Sequence, residues 1–367
     1  MRNGNGKDKD GFKGAVRSFV ASFGWPRIII ALFIVALFFL APAAKVEIPS
    51  ALSDVLNRFG MNAVLVLAMV PMVQSGCGLN FGLPIGVIAG LLGSTLAIQV
   101  VSVGPLVGVF SPGLPVFLLA IVLAMPFAAL FGWAYGKLLN RVKGDEMIIA
   151  TYVGWAAVSF MSIMWLILPY SAPTMIWAYK GYQLRSTIAV AGFYDKVLSS
   201  FLAIRIGDFV FPTGMILFVA LMCLVVWLFF RTKAGTAMTA VGSNPDYARA
   251  SGVDASRARI LSVVASCMLG AVGIIVYQQS YGFIQVYNGP LMAAFPAVAA
   301  LLIGGASVNK ASIVNVVVGT LLYQGMITMT PKVINSLLQS DMAEVLRIII
   351  ANGMILYALT RKSKVAR

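Results

Sequence analysis

Histidine is absent from the 367 residues, and Asp and Glu together number only 12. Charged residues make up 11% of the chain against 60% hydrophobic residues, with a mean hydropathy of +0.92. Soluble domains carry about a quarter charged residues, so there is too little polar material here to coat a globule in water, and a soluble enzyme or binding domain is excluded. The three cysteines, Cys77, Cys223 and Cys267, fall in or beside apolar runs. That placement predicts free thiols and no disulfide framework. No Gly-x-x-x-x-Gly-Lys-Ser/Thr loop occurs, so the chain lacks the usual backbone nest and lysine for ATP. Neither a nucleophile with a nearby base nor a metal-ligating cluster is legible, which argues against catalysis.

The apolar runs hold no Asp or Glu except at edges such as Glu146 and Glu344. Proton- and sodium-coupled carriers generally use buried ionisable groups, accepted in lipid at a cost. Their scarcity argues against an ion-coupled secondary carrier. Sodium sites built from carbonyls and hydroxyls keep that class as the alternative.

What is present is length of apolar chain. Blocks near 28–44, 60–75, 83–101, 116–136, 147–169, 212–230, 260–279, 292–306, 312–329 and 345–360 each approach the roughly 20 residues a helix needs to cross a bilayer. They predict an all-α, polytopic integral membrane protein of about ten transmembrane helices, with residues 1–367 forming one transmembrane domain. The formal charge of +15 has a cause other than nucleic acid, because loops on the cytoplasmic side collect Lys and Arg. With the N-terminus inside, 19 of the 27 basic residues fall in 1–27, 137–146, 231–259, the turn at Lys310, and 361–367, while the 12 acidic residues divide evenly. This imbalance supports an even number of crossings with both termini cytoplasmic. Ala41-Pro42-Ala43 resembles a cleavage site after a signal peptide, but the polar arm 1–27, with Lys7, Lys9, Lys13, Arg17 and Arg27, is long for one, favouring an uncleaved anchor.

Two spans are short. The 60–75 block contains Pro71 and is followed by Gly76, Gly78, Gly82, Pro84 and Gly86, and Gly304-Gly305 close the 292–306 block. Such stretches break backbone hydrogen bonding that lipid cannot repair, and in transporters broken helices often mark the path. Close helix packing through small residues is the alternative reading. Outside the spans, residues 170–211 carry Trp177, Tyr179, Tyr182 and Tyr194, a composition suited to an extracytoplasmic cap or an interfacial helix.

The inner segment 231–259 is the most informative. Ser243 or Asn244 can cap a helix whose first position is Pro245, whose first turn holds Asp246, and which Gly252 can end. A helix of about two turns is unstable alone in water and must be held by packing. Asp254-Ala255-Ser256 offers a second cap. An ordinary capped turn between helices is the plain alternative.

The segment Arg231-Thr232, Gly235, Ala240-Val241-Gly242, Asn244, Ala248-Arg249, Ser251-Gly252-Val253 resembles the cytoplasmic coupling segment of permeases from ABC importers of the ribose, simple-sugar and nucleoside group, relatives of branched-chain amino acid permeases. Gly304-Gly305-Ala306-Ser307 and Gly319-Thr320 are similar to that family's next motifs. Asn80-Phe81-Gly82 and Glu146-Met147-Ile148 resemble its nucleoside-type members, whereas Leu83-Pro84-Ile85-Gly86 replaces their Glu-Gly-Gln.

The resemblance implies an ABC importer permease fold with some broken or short helices, in a bacterial cytoplasmic (inner) membrane. It implies three partners besides membrane lipid: an ABC ATPase subunit that uses the ATP, a second permease subunit, identical or homologous, and an extracytoplasmic solute-binding protein. This chain would bind no cofactor, metal or nucleic acid. Gly242, Asn244, Pro245, Ala248, Arg249 and Gly252 are the residues implied in coupling to the ATPase. For the substrate path, Asn80, Phe81, Tyr152, Trp155 and Gln278 combine membrane depth with broken-helix or family-like positions. They are uncharged, so they suit a small neutral polar solute such as a sugar or nucleoside, with a riboflavin-like vitamin or a branched-chain amino acid behind. Bonding between helices is the other use for each.

Overall fold

The computed structural model describes residues 25–338 apart from 143 and 178–183, together with residues 345, 348, 349, 352 and 353. The N-terminal arm up to residue 24, nearly all of the expected 345–360 span, and residues 361–367 lie outside the described residues. The described helices are α1 (Trp25–Leu40), α2 (Ile48–Leu67), α3 (Val70–Gln74), α4 (Leu83–Ser102), α5 (Leu114–Arg141), α6 (Glu146–Ile167), α7 (Val197–Ser200), α8 (Thr213–Arg231), α9 (Lys233–Ser243), α10 (Pro245–Ala250), α11 (Ala255–Tyr281), α12 (Ala294–Ile303) and α13 (Ile313–Leu338). Four three-residue strands accompany them: β1 (Thr187–Ala189), β2 (Ile204–Ile206), β3 (Phe209–Phe211) and β4 (Phe283–Gln285). Among the described residues seven spans are long and apolar enough to cross a membrane, counting Ile48–Gln74 as one, and two apolar helices are shorter. This is an all-α polytopic membrane fold.

The centre is a triple of α4, α5 and α11, and glycine explains how closely they approach. A Cβ added at Gly86 would lie 2.7 Å from Cys267 O, at Gly90 2.6 Å from Ala271 O, and at Gly93 2.6 Å from Ala120 O. From α5, Gly132 meets the backbone of Val264. These glycines serve helix packing. Gly76 and Gly78 do something else: with φ of +75° and +76° they turn the chain between α3 and α4 in the left-handed region that side chains disfavour. The glycine-rich stretch thus breaks the chain at Gly76 and Gly78 and packs helices at Gly86.

Several boundaries move. The span expected at 60–75 begins at Ile48, because Asp54, Asn57 and Arg58, which interrupt the apolar run, face a cavity. The block at 292–306 reduces to the ten residues of α12, about 15 Å long and half the hydrocarbon thickness. Residues 260–279 extend to Ala255–Tyr281, and 312–329 to Leu338.

The segment expected at 170–211 is built as a cap. β1 pairs antiparallel with β4, Ile188 opposite Ile284, and β2 pairs with β3. Val190 N–H donates to Gly282 O at 3.1 Å, and Lys196 N–H donates to Gln279 O. Leu198 N–H reaches Gln279 Oε1 at 3.0 Å. The cap is thereby fastened to the end of α11 far from residues 231–259. Within it Tyr194 is fully buried and Trp177 exposed; Tyr179 and Tyr182 lie outside the described residues.

Candidate functional site

The 231–259 segment folds as two helices where sequence signals pointed to one. Thr232 Oγ1 caps α9 by accepting from Gly235 N–H at 3.3 Å. Asn244 Oδ1 caps α10 by accepting from Asp246 N–H at 3.1 Å and Tyr247 N–H at 3.0 Å. Gly252 follows with φ +80°, and Asp254 Oδ1 accepts from Arg257 N–H at 3.1 Å to open α11. A six-residue helix persists because Ala248 packs into a small apolar cluster with Met238, Val241, Ala255 and Ala258. α9 was missed because its Lys-Ala-Gly-Thr-Ala-Met-Thr sequence is weakly apolar; its Thr232 cap was the available signal.

The end of α9 sits on the break between α3 and α4. A Cβ on Gly242 would come 2.1 Å from Gln74 O and 2.9 Å from Gly76 N, so only glycine allows this seat. The Gln74 side chain donates to Ala311 O. Beside it, Glu146 at the start of α6 pairs with Arg259 of α11, both side chains about 15% exposed. Arg259 also lies 3.3 Å from Cys77 Sγ. On the outer face of α10, Tyr247, Asp246 and Arg249 are exposed, and Arg249 pairs with Asp246 at 3.3 Å. Lys137 and Arg231 lie over the rings of Trp133 and Trp227 at 3.7 and 3.9 Å, placing cations and indoles together at this end of the bundle.

Towards the other end, α2, α11, α12 and α13 enclose a cavity of about 570 Å³, within the size range of small-molecule sites. Gln278 and Thr328 line it, both nine-tenths buried. Gln278 Oε1 accepts from Ser94 Oγ at 2.8 Å and from Tyr194 OH at 3.2 Å. Burial drives the Tyr194 phenol above its ordinary value, so it keeps the proton it donates. Gln278 Nε2 and Thr328 Oγ1 have no hydrogen-bond partner among the described residues. At the mouth Lys332 pairs with Asp54, and the rings of Tyr277 and Tyr281 stack with centroids 5.4 Å apart.

Of the five expected path residues only Gln278 lines this cavity. Asn80 is fully buried, donating to Ser266 Oγ at 2.8 Å and accepting from Tyr135 OH at 3.2 Å. It ties the break to α5 and α11. Phe81 contacts the Phe295 ring at 5.4 Å. Tyr152 and Trp155 pack edge to face on the outward side of α6, 64% and 47% exposed. Ser94 and Thr328 were missed as site residues, since single hydroxyls in apolar runs carry no signal in sequence, and Tyr194 was noted only as an aromatic of the 170–211 segment.

The motifs at 304–307 and 319–320 have a packing cause. A Cβ on Gly304 would lie 1.8 Å from Asn315 O and one on Gly319 2.0 Å from Ala300 O, so α12 and α13 touch backbone to backbone. Asn315 Nδ2 closes the contact by donating to Gly304 O at 2.7 Å.

Comparison with known proteins agrees with this architecture. The chain is 26% identical over 206 residues to the fructose import permease protein of Rhizobium meliloti, covering 56% of this chain and 53% of that one. It is 26% identical over 199 residues to the nucleoside ABC transporter permease protein of Lactococcus lactis subsp. cremoris, covering 53% and 52%. The matches thus span about half the length of each relative. No solved structure matches with statistical significance. The family model described as the permease component of branched-chain amino acid transport systems matches residues 51–359, and the chain belongs to that family.

Proposed function

We propose that this chain is a membrane-spanning subunit of an ATP-driven ABC importer that moves a small neutral polar solute, a sugar or a nucleoside, across a bacterial cytoplasmic membrane. Both termini are cytoplasmic. Two such permease subunits, identical or homologous, form the pathway, an ATPase docks on residues 231–259, and a solute-binding protein delivers from the cap side. ATP is used by the ATPase, and this chain itself binds no cofactor.

The observation that carries the reading is the seat of α9 on the broken span, Gly242 against Gln74–Gly76, beneath the exposed face of α10. Force applied to Pro245, Arg249 and neighbouring α10 residues passes through Ala248 and its cluster into α9 and α11. From there it reaches the break and, along α11, the cavity at Gln278. Alternating access follows when the two arrangements differ in affinity for the ATP-bound partner.

Reconstituted vesicles containing the assembled complex test this. Uptake requires ATP and persists when sodium and proton gradients are collapsed. Uptake without ATP, driven by either gradient, overturns the reading in favour of a secondary carrier.

A further inference from the structure

We infer that the transport route continues below the cavity along α13 to the Thr320 hydroxyl, and that the backbone contact between α12 and α13 is the inner gate that seals it here. This rests on the transport reading above and adds the residue and the contact at which the route is closed.

The cavity marks which face of α13 borders it. Gln324, Ile327, Thr328 and Pro331 line its wall, a spacing of three and four residues that keeps them on one side of a helix. The next position of that stripe, one turn towards the 231–259 end of the bundle, is Thr320, which is fully buried and lines no part of the cavity. The other helices close at the same level. Met69 follows Val66 on the α2–α3 span, Ala271 precedes Ile274 on α11, and Ala300 follows Ala297 on α12. All three are fully buried. Thr320 thus supplies a hydroxyl to a layer whose other members are apolar.

That hydroxyl behaves unlike others in the chain. A helical hydroxyl shielded from water ordinarily bonds a carbonyl one turn back, as Thr95 does to Leu91 O at 2.9 Å, Thr151 to Met147 O at 3.0 Å and Ser162 to Val158 O at 2.8 Å. Thr320 Oγ1 is buried with no hydrogen-bond partner among the described residues, which is unfavourable in the state that buries it. A polar solute passing this level in the other state supplies the missing partner.

The gate is the contact beside it. Gly319 precedes Thr320, and a Cβ there would lie 2.0 Å from Ala300 O, so α12 closes on α13 with no side chain between them. A contact of this kind admits sliding, because nothing interlocks. α12 has only ten residues and runs into Gly304 and Gly305, the latter at φ +83°, which glycine adopts at little cost. Across the contact, Asn315 Nδ2 donates to Gly304 O at 2.7 Å.

Thiol accessibility in the assembled complex, reconstituted in lipid vesicles, provides the test. The probe is 2-aminoethyl methanethiosulfonate, and the unsubstituted protein gives the baseline for the three native cysteines. Modification of Gln324→Cys and Thr320→Cys is followed without nucleotide and after trapping with ATP and vanadate. In the condition where Gln324→Cys reacts, Thr320→Cys should react at least about tenfold more slowly, as an open state populated at about 10% or less requires. In the other condition Thr320→Cys should gain at least that factor. Adding Asn315→Ala, which frees Gly304, should speed Thr320→Cys in the sealed condition; the nucleotide comparison decides even if that variant does not fold. Thr320→Val replaces the hydroxyl by a methyl group of the same shape, and its unfolding midpoint should be level with the wild type or higher, since no bond is lost. Equal rates at the two positions, a Thr320→Cys rate that stays low under nucleotide and ion gradients alike, or a lowered midpoint in Thr320→Val overturns the inference and leaves the importer reading in place. Thr320→Cys exposure that follows a sodium or proton gradient and ignores nucleotide ends the importer reading and keeps this route.

Discussion

The two ends of α11 solve opposite problems. At Ala255 the helix emerges from a segment whose polar groups point outward: Tyr247, Asp246 and Arg249 are exposed on α10, while the nearby Glu146–Arg259 pair is part-buried. At Tyr281 the same helix runs into a cap that turns its polar groups inward, fastening Gln279 by backbone bonds and Gln278 by the Tyr194 hydroxyl, with Ser94 of α4 adding a second. The first end offers charged and aromatic side chains outward. The second leaves one amide donor, Gln278 Nε2, and one hydroxyl, Thr328 Oγ1, buried without a hydrogen-bond partner among the described residues. The helix between them is long enough to join the two at about 40 Å.

The sharpest way to break this contrast is at the seat of α9. Gly242→Ala puts a methyl group 2.1 Å from a backbone carbonyl, and neither side yields without moving a helix. Loss of ATPase copurification and a clear fall in the unfolding midpoint are expected. Gly252→Ala meets no atom within 4 Å and costs only the left-handed backbone penalty of about 1 kcal/mol. Unfolding midpoints of the two variants side by side check the difference, and equal losses would remove the seat from the account.

Next in size is the part-buried Glu146–Arg259 pair. Glu146→Gln strands the Arg259 guanidinium, and the cost should be below the roughly 3 kcal/mol of breaking a fully buried pair from one side. Replacing both, as Glu146→Leu with Arg259→Met, should recover most of that in the same unfolding measurement. Recovery of stability without recovery of transport would mark the pair as part of the moving element.

The fold was legible in its apolar blocks and the short helix α10 in its punctuation: Asn244, Pro245 and Gly252 were readable because caps and left-handed turns admit few residue types. The cavity was harder for a physical reason. Asp54, Asn57, Arg58 and Lys332 interrupt apolar runs, and a polar residue in a window looks the same whether it ends a span or faces a cavity inside one. The start of α2 was therefore set too late. Tyr152 and Trp155 show the reverse difficulty, since helix depth is readable from sequence and helix face in an apolar span is not. Gln278 stood out as an amide, while its orientation depends on Ser94 and Tyr194, 184 and 84 residues away.

The smallest expected structural effect separates function from stability. Arg249→Glu removes an exposed pair worth no more than about 1 kcal/mol, so the unfolding midpoint should stay within a degree or two of the wild type. Transport should nonetheless fall, because the face it alters is the one that the proposed function offers to the ATPase.

That variant supplies the most direct measurement of the central claim. In vesicles carrying the assembled complex, ATP hydrolysis and solute uptake are followed together in the wild type and in Arg249→Glu. The account predicts that the variant stays folded in the membrane while uptake per ATP hydrolysed drops several-fold. Wild-type assembly and wild-type uptake per ATP in Arg249→Glu would contradict it and leave α10 as a turn between helices.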